Sequence, residues 1–233
     1  MACSRVTDDG YATPAALVFS LALTMVVTAT LARSVRLLKQ ANADFARTQA
    51  EYGLDGAQLL AAAEIIRSGR GGPYRWQFST SLGWINAQAE PEAVKLTPVV
   101  ASGLGAEVFA RMGVRDVAAL KTRLAALPDD PTVDVAALDN AVLWRLCAPI
   151  MISGLGVAKA FAPPAWAEPG PGKQAADWHV GELWRIRVRT TAGWRDDRIV
   201  RFTGDARHPA ATVMRRFSRG EGDWGRCDAV LAG

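Results

Sequence analysis

Histidine is nearly absent from this chain, with His179 and His208 the only two, and cysteine occurs three times, as Cys3, Cys147 and Cys227. No CxxC pair and no Cys/His cluster is present, which argues against a structural zinc site. No serine sits among nucleophile-elbow glycines, and neither histidine lies in a pattern that marks a general base. Charge is missing from Tyr11 to Ala32. Tryptophan is missing from the first third, all eight lying beyond residue 70. The net charge of +4 and pI near 9.2 are only mildly basic and do not by themselves imply a nucleic-acid partner.

What is present begins with the uncharged stretch. Tyr11–Ala32 makes a helix of about 33 Å, enough to span a hydrocarbon core. Pro14 falls in its first turn, where a missing N–H does little harm. A cleaved secretory signal has a shorter apolar core of about 7–15 residues. The pattern here also continues past Ala32. Leu31, Leu38, Phe45, Tyr52, Leu59 and Ile66 recur every seven residues, and after Pro14 no proline intervenes until Pro73. Ser68-Gly69 and Gly71-Gly72 then close the helix. One helix of about 86 Å is expected from Tyr11 to about Arg67, apolar all round at first and amphipathic later.

Beyond Pro73 the period changes to two. Tyr74–Ser79 and Leu82–Asn86 read as short strands. Lys95–Val100 is ambiguous, because Pro98 demotes it as a strand. Gly103–Leu127 predicts two helices divided near Gly113–Asp116, with Asp116 as the N-cap of the second. Val133–Leu146 predicts another helix. The prolines and glycines of 163–172 form a connector. In GELWRIRVR, Trp184, Ile186 and Val188 alternate with Arg185, Arg187 and Arg189, predicting an apolar face under a solvated arginine row that Asp196 and Asp197 can pair. TTAG turns the chain into a second strand over Trp194–Phe202, and Ala211–Arg219 adds a third. The expected class is α+β: a long N-terminal helix packed on an antiparallel sheet, with a helical insert at about 101–147.

A short leader ending in Gly10, followed by an apolar stretch that flows into a long amphipathic helix, resembles a type IV pilin-like protein. The Ala-rich segment with Ala50, Tyr52, Gly53 and Ala57, and Ala15 where most such subunits carry glutamate at the fifth mature position, are similar to the minor pseudopilin K family of type II secretion systems. The likeness is carried by about the first 68 residues.

That resemblance implies a leader of residues 1–10 cut by a prepilin peptidase at Gly10-Tyr11, and a helix at 11–68 with its membrane span at 11–32. It implies a periplasmic domain at 73–233 on a single-pass inner-membrane protein. The partners implied are the major pseudopilin and other minor pseudopilins, at the tip of a secretion filament, with no nucleic acid and no enzymatic turnover. A minor type IV pilin for adhesion or DNA uptake, or a membrane-anchored periplasmic enzyme, are the alternatives. By charge count alone, Arg33, Arg36 and Lys39 after the span, against Arg5, Asp8 and Asp9 before it, place the C-terminal side in the cytoplasm; the resemblance implies the reverse. Calcium is the ligand the family brings to mind for Asp129, Asp130, Asp134 and Asp139. Their spacing fits no EF-hand loop, helix capping and solvation explain them, and no cofactor is expected. With Cys3 removed in the leader, Cys147 and Cys227 remain to pair in an oxidising compartment, buried free thiols being the alternative.

Overall fold

The computed structural model of the chain describes residues 12–68, 72–80, 83–130, 133–160, 179–205, 207–220 and 225–232. Two compact units emerge, Met1–Gln49 and Ala50–Gly233. The architecture is α+β, with one long apolar N-terminal helix and a five-stranded antiparallel sheet.

The long helix, α1, runs from Ala12 to Ser68. Its apolar part contains hydroxyl side chains that return to the backbone one turn earlier. Thr24 Oγ1 donates to Ser20 O at 2.8 Å, Thr30 Oγ1 to Val26 O at 2.9 Å, and Ser34 Oγ to Thr30 O at 3.0 Å. Each hydroxyl is thereby satisfied within the helix, as a span through hydrocarbon requires. At the other end Ser68 Oγ hydrogen-bonds both Ile65 O and the Tyr74 hydroxyl at 2.8 Å, tying the helix terminus to the first strand.

Within the second unit α1 buries Ala50, Leu54, Ala57, Ala61, Ala62 and Ile65. These recur at three- and four-residue spacing and make one stripe. The stripe covers Trp76, Ala87, Ala89, Trp184, Ile186 and Val188 of the sheet. Gln58, also buried, donates from Nε2 to Ile186 O at 3.0 Å and Asp196 O at 2.9 Å.

The sheet is a meander of β1 (Tyr74–Thr80), β2 (Gly83–Pro91), β3 (Leu183–Thr190), β4 (Trp194–Phe202) and β5 (Ala210–Arg219). Its register sets Trp76 opposite Ala87, Ala89 opposite Ile186, and Trp184 opposite Val200. Period-two alternation thus collects the tryptophans and aliphatics on the face under α1. The β3–β4 turn relies on Gly193, whose φ of +83° suits a residue without Cβ. A register shift between Ile199 and Val200 marks a bulge in the β4–β5 pairing.

Between β2 and β3 the chain makes a helical excursion, described over residues 92–130 and 133–160. It holds a 3-10 turn at Glu92–Val94, α2 (Pro98–Ser102), α3 (Ala106–Arg111), α4 (Val117–Ala125), a second 3-10 turn at Val135–Leu138, and α5 (Val142–Met151). Leu96, Phe109, Met112, Leu120, Leu124 and Trp144 form its separate core. Asp116 caps α4, accepting from Ala119 N–H at 2.9 Å. The last element is α6 (Gly225–Ala232).

Several expectations change. Pro98 opens α2 instead of weakening a strand, with Thr97 as N-cap accepting from Val100 N–H at 3.1 Å. The helix expected over Val133–Leu146 is a 3-10 turn and a later helix, because Asp139 accepts from Ala141 N–H at 2.8 Å and breaks the chain between them. The insert therefore begins at Glu92 and its last helix ends at Met151, wider than 101–147. The connector at 163–172 lies outside the described residues.

The seven-residue series makes little of the sheet contact. Leu31, Leu38, Phe45, Tyr52 and Leu59 are exposed; Ile66 alone of the series packs, partly buried, against the core under the sheet, and the alanine-rich stripe makes most of the contact.

The arginine row differs from expectation too. Arg185 and Arg187 are buried, at 5% and 3% exposure, because the insert covers the face that alternation leaves polar.

Candidate functional site

α1 is the first candidate surface. Between Pro14 and Ser68 it is long and apolar enough to cross a membrane, and the apolar window is wholly exposed. Leu17, Phe19, Leu21, Met25 and Val26 all lie open. The expected processing bond, Gly10-Tyr11, lies outside the described residues. Within the second unit, Tyr52 and Leu59 present large apolar side chains outward, at 75% and 69% exposure. The helix thus has apolar surface beyond what its own domain uses.

Charge fixes the helix to the far side of the sheet. Asp196, fully buried on β4, accepts from Arg198 Nε at 2.9 Å and Arg215 Nε at 3.4 Å. Arg198 also pairs with Asp55 of α1, and Arg215 reaches Asp55 at 3.2 Å and Glu51 at 3.3 Å. Burial lowers the Arg198 guanidinium, but Asp196 and Asp55 outweigh it and hold it above its ordinary value.

A second ion network fills the other face of the sheet. Lys95 Nζ lies 2.9 Å from Glu90 Oε1 and 2.6 Å from Glu92 Oε1, and donates to Pro149 O at 2.8 Å. Arg187 Nη2 donates to Glu90 Oε1 at 2.6 Å, and Arg185 binds Glu92 Oε1 at 3.0 Å and Asp197 Oδ2 at 3.3 Å. Six formal charges of balanced sign join β2, β3 and β4 to the base of the insert. Burial alone raises the Glu92 carboxyl, yet Arg185 and then Lys95 outweigh it and push it down to about 2. Burial keeps the Lys95 ammonium below its ordinary range, the pull of Glu90 and Glu92 notwithstanding. The expected pairing of Asp197 with an arginine of β3 is present; Asp196 points to the opposite face and serves Arg198. Sequence reading missed Glu90, Glu92 and Lys95, because their spacing resembles ordinary surface charge.

Beside this network, a groove of about 1090 Å³ separates the insert from β4 and β5. Arginines line much of it, including Arg145, Arg195, Arg216 and Arg226. Four acids line it as well: Asp134, which pairs with Arg216, Asp139, which accepts from Ala141 N–H, and Asp196 and Asp197 of β4.

Cys147 of α5 and Cys227 of α6 are both buried with Cα atoms 5.3 Å apart, within the range of a disulfide, and their Sγ atoms are at bonding distance. The bridge attaches α6 to the insert, and Arg75 Nη2 to Asp228 Oδ2 at 2.8 Å adds an ion pair from β1. His208 is exposed beside Asp205, and His179 stands on the surface near Glu182. Among the described residues no group of three or more His, Cys, Asp or Glu is placed to hold a metal ion. No protein family, curated protein or solved structure matches the chain.

Proposed function

We propose that this chain is a membrane-anchored subunit of a type IV pilin-like filament, a minor pseudopilin of the K kind, standing at the tip of a type II secretion filament. The observation that carries this reading is α1 itself. One uninterrupted helix passes from a fully apolar, exposed half into a half that supplies the core stripe of an α+β domain. An anchor whose only task is tethering needs no such continuity, and it needs no outward Tyr52 and Leu59. Ala15 supports the tip position: without a carboxylate there, the subunit lacks the acid that would pair with a neighbour's terminal amine in the layer ahead. In this reading the domain lies in the periplasm, the helix in the inner membrane, and the protein initiates or caps the filament with other minor pseudopilins.

One observation favours a second reading, a minor type IV pilin for adhesion or DNA uptake. It is the arginine-lined groove, whose preference between acidic protein and nucleic acid is measurable.

Mass spectrometry of the N-terminus, in cells with and without a prepilin peptidase, tests the class. The mature chain is expected to begin at Tyr11 only when the peptidase is present. Gly10→Val is expected to retain the leader, because a branched Cβ blocks the extended approach that glycine permits. Normal processing of that variant, or a mature chain starting elsewhere, overturns the assignment.

A further inference from the structure

Within the first unit, charge of one sign gathers at one place. Nothing from Tyr11 to Ala32 is charged, and Arg33, Arg36 and Lys39 then follow on α1. All three are exposed. None forms an ion pair with a described residue. The acids of α1 that do pair, Glu51, Asp55 and Glu64, serve Arg215, Arg198 and Arg67. The next acid in the chain, Asp44, comes after Gln40 and outside the three- or four-residue spacing that makes helical neighbours of Lys39. Three cations therefore stand together with no acid of the helix to offset them.

Their depth gives this a meaning. Pro14 to Ala32 measures about 28 Å along the axis, close to the thickness of a hydrocarbon core. With that stretch in a bilayer, Arg33 stands at the edge of the hydrocarbon. Arg36 and Lys39 lie about 4.5 Å and about 9 Å further on, at the level of the headgroups. Side chains on a helix lean toward its N-terminus, so all three lean back toward the bilayer, and their long stems allow the charges to settle among phosphates. At about 100° per residue they share a sector of about 120°. Leu31, Val35 and Leu38, also exposed, lie on another side. The cations thus converge on one part of the surrounding lipid shell.

We propose that Arg33, Arg36 and Lys39 form a binding site for the headgroups of anionic phospholipids. The two guanidinium groups can each grip a phosphate through paired N–H donors, and the ammonium adds a third charge. Exposed cations without internal partners, placed where phosphates are densest, are complementary to that surface. The proposal rests on the reading of α1 as a membrane anchor, and it holds for either orientation of the domain.

The test reconstitutes the full chain in phosphatidylcholine vesicles that contain a trace of spin-labelled phosphatidylglycerol or spin-labelled phosphatidylcholine. Electron paramagnetic resonance then measures the fraction of label held at the protein. The parent is expected to favour phosphatidylglycerol by about fivefold or more. Arg33→Gln/Arg36→Gln/Lys39→Gln is expected to bring the two lipids to parity. Arg33→Lys/Arg36→Lys should retain the preference, and so should Arg47→Gln, about 21 Å beyond the edge of the apolar stretch. Raising the salt to about 1 M should reduce the preference in the parent. Carbonate extraction of the same vesicles separates the two ways of failing. If the parent is extracted, α1 is no anchor and the proposal falls with that reading. If it stays in the vesicles yet shows no preference for phosphatidylglycerol, the anchor stands and this proposal alone is overturned. A preference undiminished in the triple variant, or one lost equally in Arg47→Gln, also overturns it. So does displacement of the lipid by inorganic phosphate beyond that by chloride at equal ionic strength, which would mark a site for a soluble anion.

Discussion

Glu92 shows how a single side chain can organise two parts of a domain. It follows the last residue of β2, and its Oε1 receives both Lys95 and Arg185, so one carboxylate holds the first turn of the insert and the middle strand together. Replacing buried ion pairs with apolar residues can be neutral, but removing one partner leaves the others charged and dry. Glu92→Gln does the latter, and it is expected to destabilise the fold by about 3–5 kcal/mol in urea unfolding near neutral pH. The pH dependence has a definite sign. The folded carboxyl is depressed from 4.5 to about 2, so its contribution is complete above 4.5 and disappears as the pH falls toward 2. The parent should lose stability steeply through that window, and Glu92→Gln should show a shallower acid limb. An unchanged acid limb would mean that Glu92 does not carry this linkage. Lys95 acts in the other sense: its lowered value detracts from stability at neutral pH, and less so as the pH rises toward 10.5.

At the scale of elements, α1 illustrates what was legible in the sequence and what was not. Its existence follows from the absence of charge over Tyr11–Ala32 and of proline between Pro14 and Pro73. Which side meets the sheet does not follow, because two stripes compete. The bulky series Leu38, Phe45, Tyr52 and Leu59 is the more hydrophobic, yet the domain uses Ala50, Leu54, Ala57 and Ala61. The sheet already supplies large side chains in Trp76, Trp184 and Ile186, so close packing asks for small residues from the helix. β3 and β4 were readable from alternation and the Gly193 turn. The pairing of β2 with β3 was not, since it joins strands separated by the whole insert, and α6 carries too few residues to stand out. The two stripes predict opposite phenotypes. Leu54→Ala, at 0% exposure, is expected to cost about 2–5 kcal/mol of domain stability. Tyr52→Ala should shift stability by no more than about 0.5 kcal/mol yet reduce recovery of partner subunits in crosslinked membranes. Thermal melts and crosslinking yields on the same two variants separate the faces. Equal crosslinking by Tyr52→Ala and the parent would remove the outward face from assembly.

For the molecule as a whole, orientation is decided by two signals that disagree. Arg33, Arg36 and Lys39 follow the apolar stretch, while residues 1–10 offer Arg5 against Asp8 and Asp9; if that stretch spans a membrane, the positive-inside rule puts the globular domain in the cytoplasm. Cys147 and Cys227 point the other way. They are buried with Cα atoms 5.3 Å apart, within disulfide range, and a disulfide persists where the compartment is oxidising, which the cytoplasm is not. The sequence separation of 80 makes the bridge a strong constraint, worth about 4–5 kcal/mol in the chain-entropy account. Its location adds to this, since it secures the short C-terminal α6 to the insert, while Arg75–Asp228 adds a charge contact across to the sheet. A domain relying on that bridge is poorly suited to a reducing compartment. Whole cells quenched with an alkylating agent before lysis, followed by non-reducing peptide mapping, distinguish the two sides. The Cys147 and Cys227 peptides are expected to be recovered linked, and Cys227→Ser is expected to lower the stability of the domain by about 2–5 kcal/mol. Recovery of both peptides singly alkylated from folded protein would place the domain on the reducing side. The basic residues after the span would then govern topology, and a periplasmic role in a secretion filament would fall with the bridge.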